Sequence, residues 1–210
     1  MSKVYSIKEI YFTLQGEGYH SGRPAVFCRF SGCNLWSGRE EDRSTAICQF
    51  CDTNFWGTDG VNGGKYTASS LRDKILNLWP NENAPFIVFT GGEPALQLDD
   101  GLIDCLKEVQ SEIAIETNGT LELANGIDWI CMSPKANTDL LVKAGDEIKI
   151  IYPQKGINPL DYKEWDFKNF YIQPMDNAQR NQNTKDAIEF CKKYPQYKLS
   201  IQSHKYLDIP

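Results

Sequence analysis

Six short apolar runs punctuate the chain, at residues 25–30, 86–89, 113–115, 129–132, 147–151 and 170–172, and a further strand is suggested at 198–202. The interior runs are continuous and bounded by Gly, Pro or Asn, the pattern of strands buried on both faces of a parallel sheet. Between and after them lie three amphipathic stretches. Leu71, Ile75 and Leu78 share one face before Pro80; Leu98, Leu102, Leu106 and Val109 make a second stripe. Thr184, Ile188 and Cys191 make a third, with Asn183 as the expected cap and Pro195 beyond. The link from Met132 to Glu147 contains Pro134 and is expected to run as a loop, and the glycine-rich stretch 57–65 lacks P-loop order and reads as a surface loop. Strand–helix–strand alternation implies parallel pairing with right-handed crossovers. The expected fold is therefore α/β, an incomplete (β/α) barrel with about six parallel strands and about three full helices. With 210 residues, one domain over 1–210 has a sizeable core, and two would be cramped.

A net charge of −6 argues against a broad phosphate-binding surface, so no direct nucleic-acid contact is expected. No apolar run approaches membrane-spanning length, and the start Met1-Ser2-Lys3-Val4-Tyr5 is not a secretory signal. Seven cysteines is an odd number and a poor basis for a disulfide framework. Metal or redox chemistry in a reducing compartment fits better, with the cytoplasm as the default address.

Three of those cysteines stand out. Cys33, Cys48 and Cys51 form C-x14-C-x2-C directly after the first apolar run. Two thiolates two residues apart converge on one centre from a single turn. Three thiolates on a [4Fe–4S] cluster would leave one iron without a protein ligand, since four Cys are usual. A structural zinc site wants four closed ligands, and Cys28 is in range but sits mid-strand as a buried thiol would. A thioredoxin-like pair is also conceivable from Cys48-Gln49-Phe50-Cys51, although the following Asp52-Thr53 does not suggest the usual helix start. Three unrelated buried thiols is the blandest reading. On spacing alone, iron–sulfur and zinc stand near even. Cys105, Cys131 and Cys191 lie on helix or strand patterns as core residues.

Gly91-Gly92-Glu93-Pro94 follows the second apolar run. By itself it could be a tight turn, but glycines there also let backbone groups approach a ligand. Together with the cysteine loop it resembles the radical S-adenosylmethionine superfamily. The nearer resemblance is to the 7-carboxy-7-deazaguanine synthases. It is carried by Leu14-Gln15-Gly16-Glu17-Gly18, Arg29-Phe30-Ser31-Gly32-Cys33-Asn34-Leu35-Trp36, Phe50-Cys51-Asp52-Thr53 and Thr90-Gly91-Gly92-Glu93-Pro94. It continues through Glu116-Thr117-Asn118-Gly119, Ser133-Pro134-Lys135, Gln173-Pro174-Met175-Asp176 and His204-Lys205-Tyr206-Leu207-Asp208-Ile209-Pro210. One departure is the long insert 34–47, where most of the superfamily has C-x3-C-x2-C. The path of that loop, and whether its run Arg39-Glu40-Glu41-Asp42 has a role beyond a solvated face, is open at this point.

The resemblance implies a lyase-type radical ring contraction of 6-carboxy-5,6,7,8-tetrahydropterin to 7-carboxy-7-deazaguanine with loss of ammonia, a step towards queuosine and other 7-deazapurines. It implies three cofactors: a [4Fe–4S] cluster on Cys33, Cys48 and Cys51, S-adenosylmethionine, and Mg²⁺ on Thr53. Phe50, Cys51, Asp52, Gly92, Ser133, Pro134, Lys135, Gln173, Pro174, Met175 and Asp176 would line the S-adenosylmethionine site. Leu14, Gln15, Gly16, Arg29 and Thr90 would hold the pterin, with the Pro210 carboxylate, and Glu116 and His204 would be further substrate contacts. Arg29 suits a substrate carboxylate because its planar fork donates two parallel hydrogen bonds; the bland alternative is a salt bridge. A flavodoxin- or ferredoxin-like electron donor is implied, and a homodimer is left open. Two other classes stay in view: a zinc-stabilised binding module without catalysis, and an activase that modifies a protein glycine. The latter often carries an extra cysteine-rich segment, which this chain lacks.

Overall fold

All six apolar runs and the further strand suggested at 198–202 become strands of one sheet, and two more strands join them. The computed structural model describes residues 3–210, so the Met1 and Ser2 of the opening segment lie outside the described residues. In chain order the strands are β1 (Tyr5–Leu14), β2 (Pro24–Phe30), β3 (Gly64–Tyr66), β4 (Phe86–Gly91) and β5 (Glu112–Thr117). They continue with β6 (Trp129–Met132), β7 (Ala144–Tyr152), β8 (Asp166–Pro174) and β9 (Tyr197–Leu199). The helices are α1 (Ala68–Leu78), α2 (Asp100–Lys107), α3 (Arg180–Lys193) and the short α4 (Ser203–Leu207).

The strand order is β3-β1-β2-β4-β5-β6-β7-β8-β9. Pairing is parallel from β2 to β9, while β1 and β3 add an antiparallel flank. The sheet is open, with β3 and β9 at its edges. Nine strands therefore replace the expected six. The extra strands escape the pattern for a physical reason. In β1 a register shift between Ile7 and Glu9 breaks the alternation, so that Ile7 and Lys8 are both buried. β3 is three residues long and drawn from the end of the glycine-rich stretch, where Gly60 and Gly63 leave no room for a side chain against the Lys8 carbonyl.

Strand side chains alternate between two buried faces. Val26, Cys28, Phe30, Ile87, Phe89, Ile113 and Ile115 pack with Leu71 and Ile75 of α1 and with Leu102, Ile103 and Leu106 of α2. Ile148, Ile150 and Ile172 continue this face against Ala187 of α3. Helix starts are set by capping: the Thr67 and Asp99 side chains accept from the Ser70 and Leu102 amides. The third helix departs from expectation. It begins at Arg180, and its buried positions are Asn183 and Ala187 while Ile188 is exposed. Asn183 is a buried anchor, not a cap, donating to the Met175 carbonyl (2.8 Å) and Asn177 Oδ1 (3.0 Å). Residues 133–143, after β6, contain no helix.

Candidate functional site

The intervening residues of each strand face the other way, and toward the strands' C-terminal ends they turn from apolar to polar. Phe27 gives way to Arg29 on β2, Ala114 to Glu116 on β5, Trp129 to Cys131 on β6, and Tyr171 to Gln173 on β8. Lys149 stands between Glu147 and Ile151 on the same face of β7. The polar members Arg29, Glu116, Cys131, Lys149 and Gln173, with Phe27 and Ile151, wall a cavity of about 420 Å³. It opens at the C-terminal edge of the parallel strands, where open α/β sheets bind ligands because the connecting loops diverge there.

Loops supply the rest of the wall. Cys33 follows β2 through Gly32, whose φ of +92° strains any other residue. Cys48 and Cys51 arrive from the far end of the insert, and Cys33, Cys48, Phe50, Cys51, Asp52 and Thr53 all line the cavity. All seven cysteines are free thiols, and Cys28 is fully buried in β2 away from the cavity. Burial pushes the Cys33 and Cys51 thiols up, against the Leu35, Trp36 and Thr53 backbone groups that lower them. Among the described residues, no three His, Cys, Asp or Glu side chains converge to hold a single metal ion. Three unpaired thiols spread around a cavity wall fit a multi-atom iron–sulfur cluster, whose irons take thiolate ligands at separate corners.

The turn after β4 presses against the cysteine loop. A Cβ on Gly92 would stand 2.2 Å from the Gly32 carbonyl oxygen and 2.7 Å from Cys33 Cβ, so only glycine fits. Glu93 does not face the cavity. Fully buried, it accepts from Thr117 Oγ1 (2.8 Å), the Asn118 amide (2.7 Å) and the Ala95 amide (3.0 Å), fastening the end of β4 to that of β5. Asn118 Nδ2 then donates to Asn34 Oδ1 (3.0 Å), which ties β5 to the cysteine loop. Ser133 and Lys135 line the cavity beyond β6, and Lys135 Nζ donates to the Ser133 carbonyl and hydroxyl at 2.8 Å each. Burial lowers the Lys135 pKa, opposed by the nearby Cys48 and Cys51. Pro134 is absent from the wall; it is buried, and its carbonyl accepts from Gln154 Nε2 (3.3 Å).

The opposite side carries a buried charge cluster that the sequence reading missed. Lys149 is 4% exposed; its ammonium donates to Glu17 Oε2 (2.5 Å) and Glu116 Oε2 (3.4 Å). Glu116 Oε1 also accepts from Gln15 Nε2 (3.0 Å). Burial alone would lower the Lys149 pKa, yet Glu116 and Glu17 hold it well above the usual lysine range. Burial would raise Glu17, but Lys149, with Gln202 and His204, brings it down to about 2. The signals were present: a lysine inside the apolar run Glu147-Ile148-Lys149-Ile150-Ile151, and a glutamate inside Leu14-Gln15-Gly16-Glu17-Gly18.

Leu14, Gln15, Gly16, Arg29, Thr90 and Glu116 all reach the cavity. Arg29, however, is already engaged: its Nε donates to Glu9 Oε1 (2.7 Å) and its Nη2 to the Tyr11 hydroxyl (3.0 Å). The fork expected to be free for a carboxylate is thus in a salt bridge.

The C-terminal arm closes the remaining side, with Gln173, Pro174, Met175 and Asp176 at the end of β8 and His204, Lys205 and Pro210 beyond. Ser203 donates from its amide and its hydroxyl to the Gly16 carbonyl at 2.9 Å each, and the Pro210 carbonyl accepts from Thr13 Oγ1 (3.1 Å). Gly16 must be glycine, because a Cβ there would lie 2.3 Å from His204 Nδ1. Lys205, also missed, bridges Asp52 (2.6 Å) and Asp176 (2.5 Å), joining the arm to the cysteine loop and to β8.

No protein-family model matches the chain. Among curated proteins, the 7-carboxy-7-deazaguanine synthase of Burkholderia multivorans is 57% identical over 209 residues, covering 99% of this chain and 100% of that one. The protein of the same name from Caulobacter vibrioides is 51% identical over 211 residues, with 99% and 100% covered. The crystal structure of QueE from Escherichia coli has a TM-score of 0.74 to this fold at 27% identity, covering 96% of this chain and 95% of that chain.

Proposed function

Because the chain belongs to the 7-carboxy-7-deazaguanine synthase family, we infer that it converts 6-carboxy-5,6,7,8-tetrahydropterin to 7-carboxy-7-deazaguanine, with loss of ammonia, by radical S-adenosylmethionine chemistry within one domain. The observation that carries this reading is the meeting of three free thiols and the Gly91-Gly92 turn on one cavity at the C-terminal edge of a parallel sheet. Cys33, Cys48 and Cys51 hold the [4Fe–4S] cluster, and Thr53 offers its hydroxyl to Mg²⁺, an ion that keeps several waters and takes anionic ligands from substrate. When bound, the cluster supplies the electron for reductive cleavage of S-adenosylmethionine.

The protein's own part is placement and exclusion of water. Phe50–Asp52, Gly92, Ser133, Lys135 and residues 173–176 form the cofactor side, with Gly92 admitting close approach of backbone groups. Gln15, Gly16, Arg29, Thr90, Glu116, His204 and Pro210 form the pterin side. There Arg29 provides a cation shared with Glu9, and Glu116, held in place by Lys149 and Gln15, offers its oxygens to ring N–H groups. A reduced flavodoxin- or ferredoxin-like protein delivers the electron, in the cytoplasm. Among the described residues no helix is long and apolar enough to cross a membrane.

Anaerobically purified protein should be brown, with about four irons per chain. Reduced and supplied with S-adenosylmethionine, Mg²⁺ and the carboxypterin, it should give the deazaguanine acid by mass spectrometry. Colourless protein containing zinc and yielding no product would favour a binding module instead.

The arm gives a second expectation. Appending a few residues after Pro210 should leave cluster content unchanged and raise KM about tenfold or more, since a hydrogen bond to a charged group contributes about 1.5–3 kcal/mol. An N-terminal tag should be harmless. Unchanged kinetics with the extension would remove Pro210 from the substrate side.

A further inference from the structure

The insert between the first two cysteines exposes the run Arg39–Asp42 to solvent, yet it is an ordered loop. Its ends are tied together: the Leu35 carbonyl accepts from the Ile47 amide (3.1 Å) and the Cys48 amide (3.2 Å), which brings Cys48 back beside the Cys33 strand end. Inside this closed loop, Trp36 is 7% exposed, edge-on to Phe55 at 5.4 Å, and donates from Nε1 to the Arg39 carbonyl (3.0 Å). The insert's short 3-10 helix, Glu40–Thr45, then aims Arg43 back at the cysteines.

All parts of that guanidinium are used. Its carbon lies 4.0 Å from the centre of the Trp36 ring. Its Nε and Nη2 donate to the two Glu40 carboxylate oxygens at 2.7 and 2.5 Å. Its Nη1 donates to two backbone carbonyls, Gln49 and Cys51, at 3.0 Å each. These carbonyls flank Phe50 in the turn that presents Cys48 and Cys51. A planar fork held by a carboxylate on one side and an aromatic face below is fixed in orientation, which a flexible ammonium cannot reproduce.

We propose that Arg43 is a positioning residue for the iron–sulfur cluster: oriented by Glu40 and Trp36, it clamps the Gln49 and Cys51 carbonyls and so fixes the turn that carries two of the three thiolates. The insert thus contains its own brace, replacing the tight spacing of a three-residue loop. The inference rests on the reading of Cys48 and Cys51 as cluster ligands.

The test compares wild type, Arg43→Ala and Arg43→Lys after anaerobic reconstitution. Iron per chain, the rate of iron loss to a chelator, and the electron paramagnetic resonance spectrum of the reduced cluster with and without S-adenosylmethionine are measured. Arg43→Ala should lose iron about tenfold faster, the equivalent of one charged hydrogen bond weakened by about 1.4 kcal/mol, and its spectrum should broaden as the turn samples several geometries. Arg43→Lys, which keeps the charge but lacks the fork, should move in the same direction. The thermal midpoint of the apoprotein should stay near that of wild type in both, because no residue of Glu40–Thr45 is buried. Wild-type iron retention and spectrum in either variant would overturn the proposal while leaving the cluster reading intact. A wild-type protein that binds no iron would overturn the cluster reading itself.

Discussion

Alanine at Cys33, Cys48 or Cys51 is expected to abolish iron–sulfur absorbance and reduce turnover to background in each variant singly. The three thiols line the cavity, and on the proposed ligation one iron would have no protein ligand, so that losing a second would leave a cluster that exchanges its iron with solvent. Cys105→Ala and Cys191→Ala make the contrast. Both side chains are partly buried on helices outside the cavity, so these variants should keep cluster and turnover while losing about 1 kcal/mol of stability. Iron analysis with product formation decides the matter. A Cys48 variant with full activity would sink the assignment of that loop as the metal site.

Lys149→Met should be the most destabilising of the conservative changes at the cavity. Methionine keeps the apolar stem and most of the length of the side chain but leaves Glu17 and Glu116 without their shared cation. Breaking a buried pair by removing one partner costs about 3–5 kcal/mol, which in a domain of this size lowers the thermal midpoint by roughly 10 °C. The pH dependence carries a definite sign. The Glu17 carboxyl has an ordinary value near 4.5 when unfolded and is held at about 2 in the folded protein. Its ion pair therefore contributes fully above about 4.5 and is lost as pH falls toward 2. Lys149, raised in the folded state, contributes below its unfolded value near 10.5 and is lost only above its folded one. The gap between wild type and variant should thus be wide at pH 7 and narrow steadily below pH 5. Thermal melts of the apoprotein across that range check this; a gap unchanged from pH 7 to pH 3 would show that packing, not charge, holds the cluster together.

Much of this architecture was legible because buried parallel strands advertise themselves locally. Runs such as Phe86-Ile87-Val88-Phe89 need no knowledge of their neighbours to be read. β1 was not legible, because the register shift at Ile7–Glu9 puts a buried lysine where alternation demands a surface residue. The face of α3 was misread by one position because it is anchored by hydrogen bonds from Asn183 more than by an apolar stripe. At the cavity, the motif residues were legible because most stand at strand ends, where one residue predicts the position of the next few. Pro134 shows the limit: its neighbours Ser133 and Lys135 reach the wall and it does not. Pairings such as Lys149 with Glu17, or Lys205 with Asp52, join segments more than a hundred residues apart, and nothing in either segment alone announces the other. The insert was opaque for a different reason. With no buried residue in its helical turn, it has no periodicity to read.

The hydrogen bonds that close the C-terminal side of the cavity imply an order of events in folding. Neighbouring strands such as β4 and β5 can pair as soon as the helix between them turns the chain back. The closing contacts join residues 182, 187 and 197 apart, from Gly18 to Ser200, Gly16 to Ser203 and Thr13 to Pro210. Contacts between such distant segments carry the largest loop-closure entropy if made first, and little if the sheet is already in place. α4 buries none of its residues, so these few hydrogen bonds and the Lys205 bridge carry most of its attachment. The amides of residues 203–209 should therefore exchange with solvent long before those of β4 and β5, the cavity being the last region to form and the first to open while the sheet beneath it stays folded.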